Sequence, residues 1–170
     1  LVRSILSAFE NQGADVLLTN DKGKILESDG LVLPGVGAFA HGMNSLENYG
    51  LADAIKEYVA SDKLFMGICL GMQMLFEGSE EFGETVGLGL IPGRVVKLQT
   101  KDSQNEKLPH VSWNELNSRN IQWSGTILDN IAEGSDMYFV HSYVAKPDDS
   151  CNILSTTEYS GRNFCSSVKK

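Results

Sequence analysis

The sequence lacks an excess of positive charge, a long apolar run and any pairing of cysteines. Lys and Arg number 14 against 22 Asp and Glu, a formal net charge of −8. No basic field exists to gather phosphates, so neither a nucleic acid nor an acidic membrane is expected as a partner. A small anionic ligand would have to rely on local amide groups. No apolar stretch approaches the roughly 18 residues of a membrane span, and no basic-then-apolar leader opens the chain. The three cysteines, Cys69, Cys151 and Cys165, are odd in number and far apart, with no CxxC pair. That pattern argues against a disulfide framework or a zinc site, so a reduced, cytoplasmic protein with no metal or other cofactor is expected.

What remains is the composition of an ordinary globular protein, 42% hydrophobic and 21% charged. A length of 170 residues suits one domain, 1–170, with a well-buried core. The opening LVRSILSAFENQG looks helical from its first residue, with Val2, Ile5, Leu6 and Phe9 on one face and Gly13 as the stop. Domains that alternate strands and helices usually begin with a strand, and the chain starts at Leu1 rather than methionine. A few residues are therefore expected ahead of it. ADVLLT (14–19) and LVLPGVG (31–37, stopping at Pro34) read as strands. Leu46, Leu51, Ile55 and Val59 mark helix over 42–60, interrupted near Tyr49–Gly50. LFMGI (64–68) is a third strand, and LGMQMLFEG (70–78) starts a helix. This alternation predicts βαβ units and a largely parallel sheet covered on both faces. The second half, rich in β-branched and aromatic residues, reads as strands with short, partly antiparallel connections. A mixed α/β domain is the fold expected.

Cys69 lies between Gly67 and Gly71 in GICLG, where a strand gives way to a helix. Glycines flank a nucleophile on such a turn because its backbone is strained and its neighbours pack closely. The turn lifts the side chain above the carboxyl end of the sheet. The N-terminus of the next helix favours a thiolate, and the Leu70 amide is placed to meet an oxyanion. A small buried cysteine in a plain crossover fits the same letters. LPGVGAF ends a neighbouring strand with Gly35 and Gly37 around Val36, leaving amides that suit a second oxyanion donor. Gln73 follows Cys69 by one helical turn, so both are expected to face one cavity. Met72, Met74, Leu75 and Phe76 read as core, and the acidic run EGSEE as a solvated face.

A base is harder to find. His41 opens a helix and reads as surface or cap, while His110 and His141 sit in apolar strands and read as hydrogen-bonded structural residues. No carboxylate follows either at strand spacing, so no Cys–His–carboxylate set emerges from these residues.

LPGVGAFAHGMNSL, GICLGMQMLFEGSEE, GLGLIPGRVVKL, LPHVSWNEL, YFVHSYVA and TTEYSG, in that order, resemble the class I glutamine amidotransferases over nearly the whole chain. PGVGAF, PHVSWN and FVHSY point, within that class, to the glutaminase subunits of imidazole glycerol phosphate synthase in histidine biosynthesis. The resemblance implies a three-layer, flavodoxin-related α/β fold. It implies that Cys69 attacks the side-chain amide of L-glutamine, forming a γ-glutamyl thioester that water resolves. It also implies that the ammonia would pass through a tunnel to a (β/α)8-barrel cyclase in a heterodimer. By position, the amides near Gly35, Val36 and Gly37 and that of Leu70 would form the oxyanion hole. Gln73, Glu81, Ser142 and Tyr143 would bind the glutamine head group, which reverses the bland reading of Glu81. His110, Trp113 and Asn114 would lie towards the cyclase and the tunnel mouth.

The family's catalytic His and Glu sit in a His-Pro-Glu motif shortly after the strand that here reads NFCSSVKK. The sequence ends at Lys170, so they are expected beyond it, and the domain is expected to be incomplete at both ends. Two other readings stay open: a related subunit that feeds ammonia to a surface-sugar synthase, and a catalytically inactive subunit that keeps only the interface. A cysteine hydrolase or peptidase of related fold would not need the Gln73 and Glu81 pocket.

Overall fold

A computed structural model describes residues 2–99 and 108–170. The chain divides into two compact units, Leu1–Leu75 and Phe76–Lys170.

The first unit alternates helices with two strands. Helix α1 (Val2–Asn11) is followed by α2 (Lys22–Glu27), β1 (Gly30–Gly35), α3 (Phe39–Asn48), α4 (Leu51–Ala60), β2 (Leu64–Cys69) and the single turn α5 (Leu70–Gln73). The Asp21 carboxylate caps α2 by accepting the Lys24 N–H at 3.0 Å, one of the donors a helix start leaves unpaired. Gly50 breaks the helical stretch between α3 and α4 by adopting φ 64°, at the interruption the sequence marks. Apolar positions three and four apart bury Phe39, Met43 and Leu46 of α3 and Ala54, Ile55 and Tyr58 of α4. β1 and β2 pair in parallel over their whole length, from Gly30 opposite Leu64 to Gly35 opposite Cys69. The strand thus continues one residue past Pro34.

The second unit is rich in antiparallel pairs. Its strands are β3 (Phe76–Ser79), β4 (Thr85–Val86), β5 (Ile91–Lys97), β6 (His110–Glu115), β7 (Asp136–His141), β8 (Tyr143–Pro147), β9 (Ile153–Tyr159) and β10 (Arg162–Val168). Six of them form one sheet in the order β4-β3-β5-β8-β10-β9, and β6 pairs with β7. β3 runs parallel to β5, and the other pairs of this unit are antiparallel. Leu116, Trp123, Leu128 and Leu154 form a buried cluster with Ile121, Met137 and Phe139 against it. The Trp123 indole donates to the Leu154 carbonyl at 2.9 Å.

The mixed α/β fold and its antiparallel-rich second half are as expected from the sequence. Parallel pairing among the described residues is confined to β1–β2 and β3–β5, less than the strand–helix alternation suggested. ADVLLT is not a strand: residues 14–19 form no strand ladder with any described residue, and Leu17 and Leu18 are exposed. An apolar run becomes a strand only when a neighbour takes its N–H and C=O groups. The helix expected over 70–78 ends at Gln73, because Phe76–Ser79 instead pairs with β5 and β4. Short apolar runs fit either period, and tertiary pairing decides. The expectation that helix begins at Leu1 falls outside the described residues.

Candidate active site

Cys69 is the last residue of β2 and the cap of α5, and its backbone holds φ 56° and ψ −117°. A non-glycine residue pays of order 1–3 kcal/mol for such a conformation, so the surroundings must enforce it. Close packing of α5 on the two strands does so. A Cβ on Gly71 would lie 1.8 Å from the Leu33 carbonyl oxygen, and one on Gly67 would lie 2.7 Å from the Met72 nitrogen. Only glycine at both positions lets α5 sit against β1 and β2. The cost of the turn is borne by the residue between them, whose thiol is exposed. The one-turn α5 gives a shorter macrodipole than the longer helix expected here.

The parallel register brings the oxyanion segment to the same strand end, with Gly35 opposite Cys69. Val36 is exposed and Gly37 has φ 103°, so the peptides after β1 stand clear of the sheet ladder. Leu70 is buried, and its backbone continues the strained turn. Gln73, half-buried, closes α5. Cys69, Gly35, Val36, Gly37, Leu70 and Gln73 therefore all belong to the first unit.

The other two thiols differ. Burial pushes the Cys165 thiol up to about 12, and its Sγ donates to the Ser167 carbonyl. Cys151 is exposed, but its hydrogen bond with Asp149 holds it above the ordinary thiol value.

The remaining candidates lie in the second unit. Glu81 is half-buried just after β3, its N–H donating to Ser79 Oγ at 3.1 Å. The neighbouring acids are more than a solvated face. Glu77 accepts the Gly93 N–H at 3.2 Å and Glu80 the Lys97 N–H at 2.8 Å, tying β3 to β5. Ser142 and Tyr143 follow β7 at a bend and are both half-buried.

Alternation along β6 splits His110, Trp113 and Asn114. His110 is fully buried at 0% exposure, whereas Trp113 is 66% exposed. Asn114 turns inward, its Oδ1 2.8 Å from His110 Nε2 and its Nδ2 donating to the Glu158 carbonyl. The outward face of β6 and β7 pairs Val111 with Val140 and Trp113 with Tyr138, all exposed. His141 lies under that hairpin, its Nε2 3.0 Å from His110 Nδ1. No described carboxylate orients either histidine at strand spacing; the two histidines instead face each other, a contact that the β6–β7 register creates. Burial, and then the charge of His110, lower the His141 pKa to about 4. Among the described residues no group of three or more His, Cys, Asp or Glu is placed to hold a metal ion.

The model of the family "Glutamine amidotransferase class-I" matches residues 2–169. The chain is 44% identical to imidazole glycerol phosphate synthase subunit HisH 1 of Legionella pneumophila (strain Lens), over 98% of its length and 80% of that relative. It is 42% identical to the HisH subunit of Syntrophotalea carbinolica, over 98% of this chain and 81% of the relative. The HisH subunit of Sulfurimonas denitrificans is 44% identical over 97% of this chain and 78% of its own. A solved structure titled "Crystal structure of glutamine amidotransferase" superposes with a TM-score of 0.66 at 15% identity, covering 95% of this chain and 83% of the other. That likeness concerns the fold.

Proposed function

The chain belongs to the class I glutamine amidotransferases, and from that premise we propose that it is the glutaminase subunit of an imidazole glycerol phosphate synthase. The observation that carries the reading is Cys69 held at φ 56° beside the exposed end of β1. An exposed thiol on an enforced strained turn is the arrangement a nucleophile needs, and a structural cysteine does not.

The Cys69 sulfur attacks the side-chain carbonyl carbon of glutamine, and the carbonyl oxygen gains the negative charge. The Leu70 amide and those near Gly35, Val36 and Gly37 are assigned to that charge. Collapse expels ammonia with the proton the thiol gave up and leaves a γ-glutamyl thioester. Water then adds to the thioester, releasing glutamate and restoring the thiol. The base that moves these protons is assigned to the His of the family's His-Pro-Glu motif, its Glu orienting the ring. Gln73, Glu81, Ser142 and Tyr143 are assigned to the substrate's head group, Glu81 suiting its ammonium by charge.

The partner is assigned as a (β/α)8-barrel cyclase that receives the ammonia through a tunnel. The exposed Val111, Trp113, Tyr138 and Val140 stripe supports an interface on the outward face of β6 and β7. His110 and Asn114 lie beneath that face. Among the described residues no helix is long and apolar enough to cross a membrane, and a cytoplasmic location follows from the proposed pathway. We read both units as parts of one amidotransferase domain, because one family match runs across them.

The test is glutamine hydrolysis by the full-length protein with and without the barrel cyclase. Stimulation by the loaded cyclase is expected, with Cys69→Ala lowering the rate by about 10³-fold or more. Full activity in that variant would sink the glutaminase reading. Ammonia delivery only to a sugar-aminating synthase would change the partner and keep the chemistry.

A further inference from the structure

Acidic residues outnumber Lys and Arg by 22 to 14, yet the charged side chains around one cavity of the second unit are all basic. The cavity measures about 330 Å³ and lies against β5, β8 and β10. Lys97, Lys146 and Arg162 line it, and among the described residues no Asp or Glu does so. All three cations are exposed, and none forms an ion pair with a described carboxylate. Glu80 reaches Lys97 only at its backbone, where Oε1 accepts the N–H. Arg94, by contrast, stands opposite Lys146 in the ladder and is already paired with Glu84.

Strand register explains how the cations meet an apolar floor. Ala145 lies opposite Val95 of β5 and Cys165 of β10. Side chains alternate between faces along a strand, so Val96, Val144, Lys146, Phe164 and Arg162 share the other face of the sheet. Phe164 is buried there, and Val96 and Val144 are half-buried. Lys97 ends β5 and lines the cavity from that strand end. Like charges gathered at one rim repel each other, and an anion between them turns that repulsion into attraction. No described carboxylate supplies one. A cavity of this size takes a small molecule, and an apolar floor with a few charged groups is the usual form of such a site. An ammonium and a guanidinium together balance a phosphate dianion, and the guanidinium fork matches two of its oxygens. A lone carboxylate would leave one cation uncompensated.

We propose that this cavity binds a small organic phosphate, its phosphate held by Lys146 and Arg162 and its organic part resting on Val96, Val144 and Phe164. Lys97 adds positive charge at the rim. Every one of these residues belongs to the second unit, and the binding draws on none of the groups assigned to glutamine.

The test is a titration of full-length, ¹⁵N-labelled protein with phenyl phosphate in phosphate-free buffer, read by backbone amide shifts and by calorimetry. Saturable binding of one molecule per chain is expected, with a Kd of about 1 mM or lower. The Val96, Val144 and Phe164 amides should be among those that move. Benzoate keeps the ring with a single charge, and inorganic phosphate keeps the charge without the ring; each should bind at least about tenfold more weakly. The double variant Lys146→Gln/Arg162→Gln should weaken phenyl phosphate binding by about tenfold or more. Its glutamine hydrolysis should stay within about twofold of the wild type, because both side chains are exposed and lie outside the assigned machinery. No saturation up to about 10 mM, undiminished binding by the double variant, or shifts confined to amides away from the cavity would overturn the proposal. Benzoate binding as tightly as phenyl phosphate would overturn it too. Because the titration contains no glutamine, failure of the glutaminase reading leaves its outcome unchanged.

Discussion

Strain and close approach dominate at the scale of single residues. Cys69 occupies a backbone region that glycine enters freely, so Cys69→Gly should raise stability by about 1–2 kcal/mol while abolishing glutamine hydrolysis. Urea denaturation paired with a glutaminase assay checks both halves. Unchanged stability would mean that the turn is not strained in solution. Gly71→Ala should act in the opposite direction. Its new methyl meets the Leu33 carbonyl oxygen at 1.8 Å, so a loss of about 3 kcal/mol or more is expected, with activity lost as α5 is displaced. His141 adds a pH dependence. Its folded value of about 4 lies below the ordinary 6.5, so between those values the unfolded chain binds the extra proton. Its contribution is present above about pH 6.5 and is lost as pH falls towards 4. The amount is of order 3 kcal/mol at most. Comparing urea midpoints at the two ends of that window for the wild type and His141→Gln reads it, and the variant should show the smaller fall. These features were unevenly legible. GICLG announced a strained turn because flanking glycines have a steric meaning. The His110–His141 contact was invisible, because it depends on how β6 and β7 align.

At the scale of elements, period and pairing compete. α3 and α4 followed their apolar spacing and broke at Gly50, as local chemistry alone requires. ADVLLT and Phe76–Ser79 did not follow theirs. The first had no described neighbour to pair with, and the second found one in β5, so both outcomes were set outside the segment concerned. The β6–β7 hairpin shows what strand alternation does with a mixed sequence. His110, Ser112 and Asn114 turn inward, while Val111 and Trp113 turn outward beside Val140 and Tyr138. Trp113 and Tyr138 have ring centroids 5.6 Å apart, an exposed aromatic pair of the type that anchors interfaces. Trp113→Ala should therefore change stability by no more than about 0.5 kcal/mol and weaken cyclase binding by about tenfold or more. Titration calorimetry with the barrel protein measures the second effect. Undiminished binding would move the interface elsewhere.

At the scale of the whole molecule, the sequence carried the fold class and the family, since long matched motifs report both. It carried less about the two compact units, whose division at Leu75–Phe76 lies inside the stretch read as helix. The net charge of −8 fits a protein whose assigned partners are a small amino acid and another protein. The central claim is that Cys69, and neither other cysteine, is the nucleophile for a glutamine amide. The most direct measurement is mass-spectrometric mapping after treating the full-length protein, with its cyclase, with an electrophilic glutamine analogue. The account predicts an adduct on Cys69 alone, suppressed by excess glutamine, although Cys151 is also exposed. An unlabelled Cys69, or equal labelling of Cys151 that glutamine does not suppress, would contradict it.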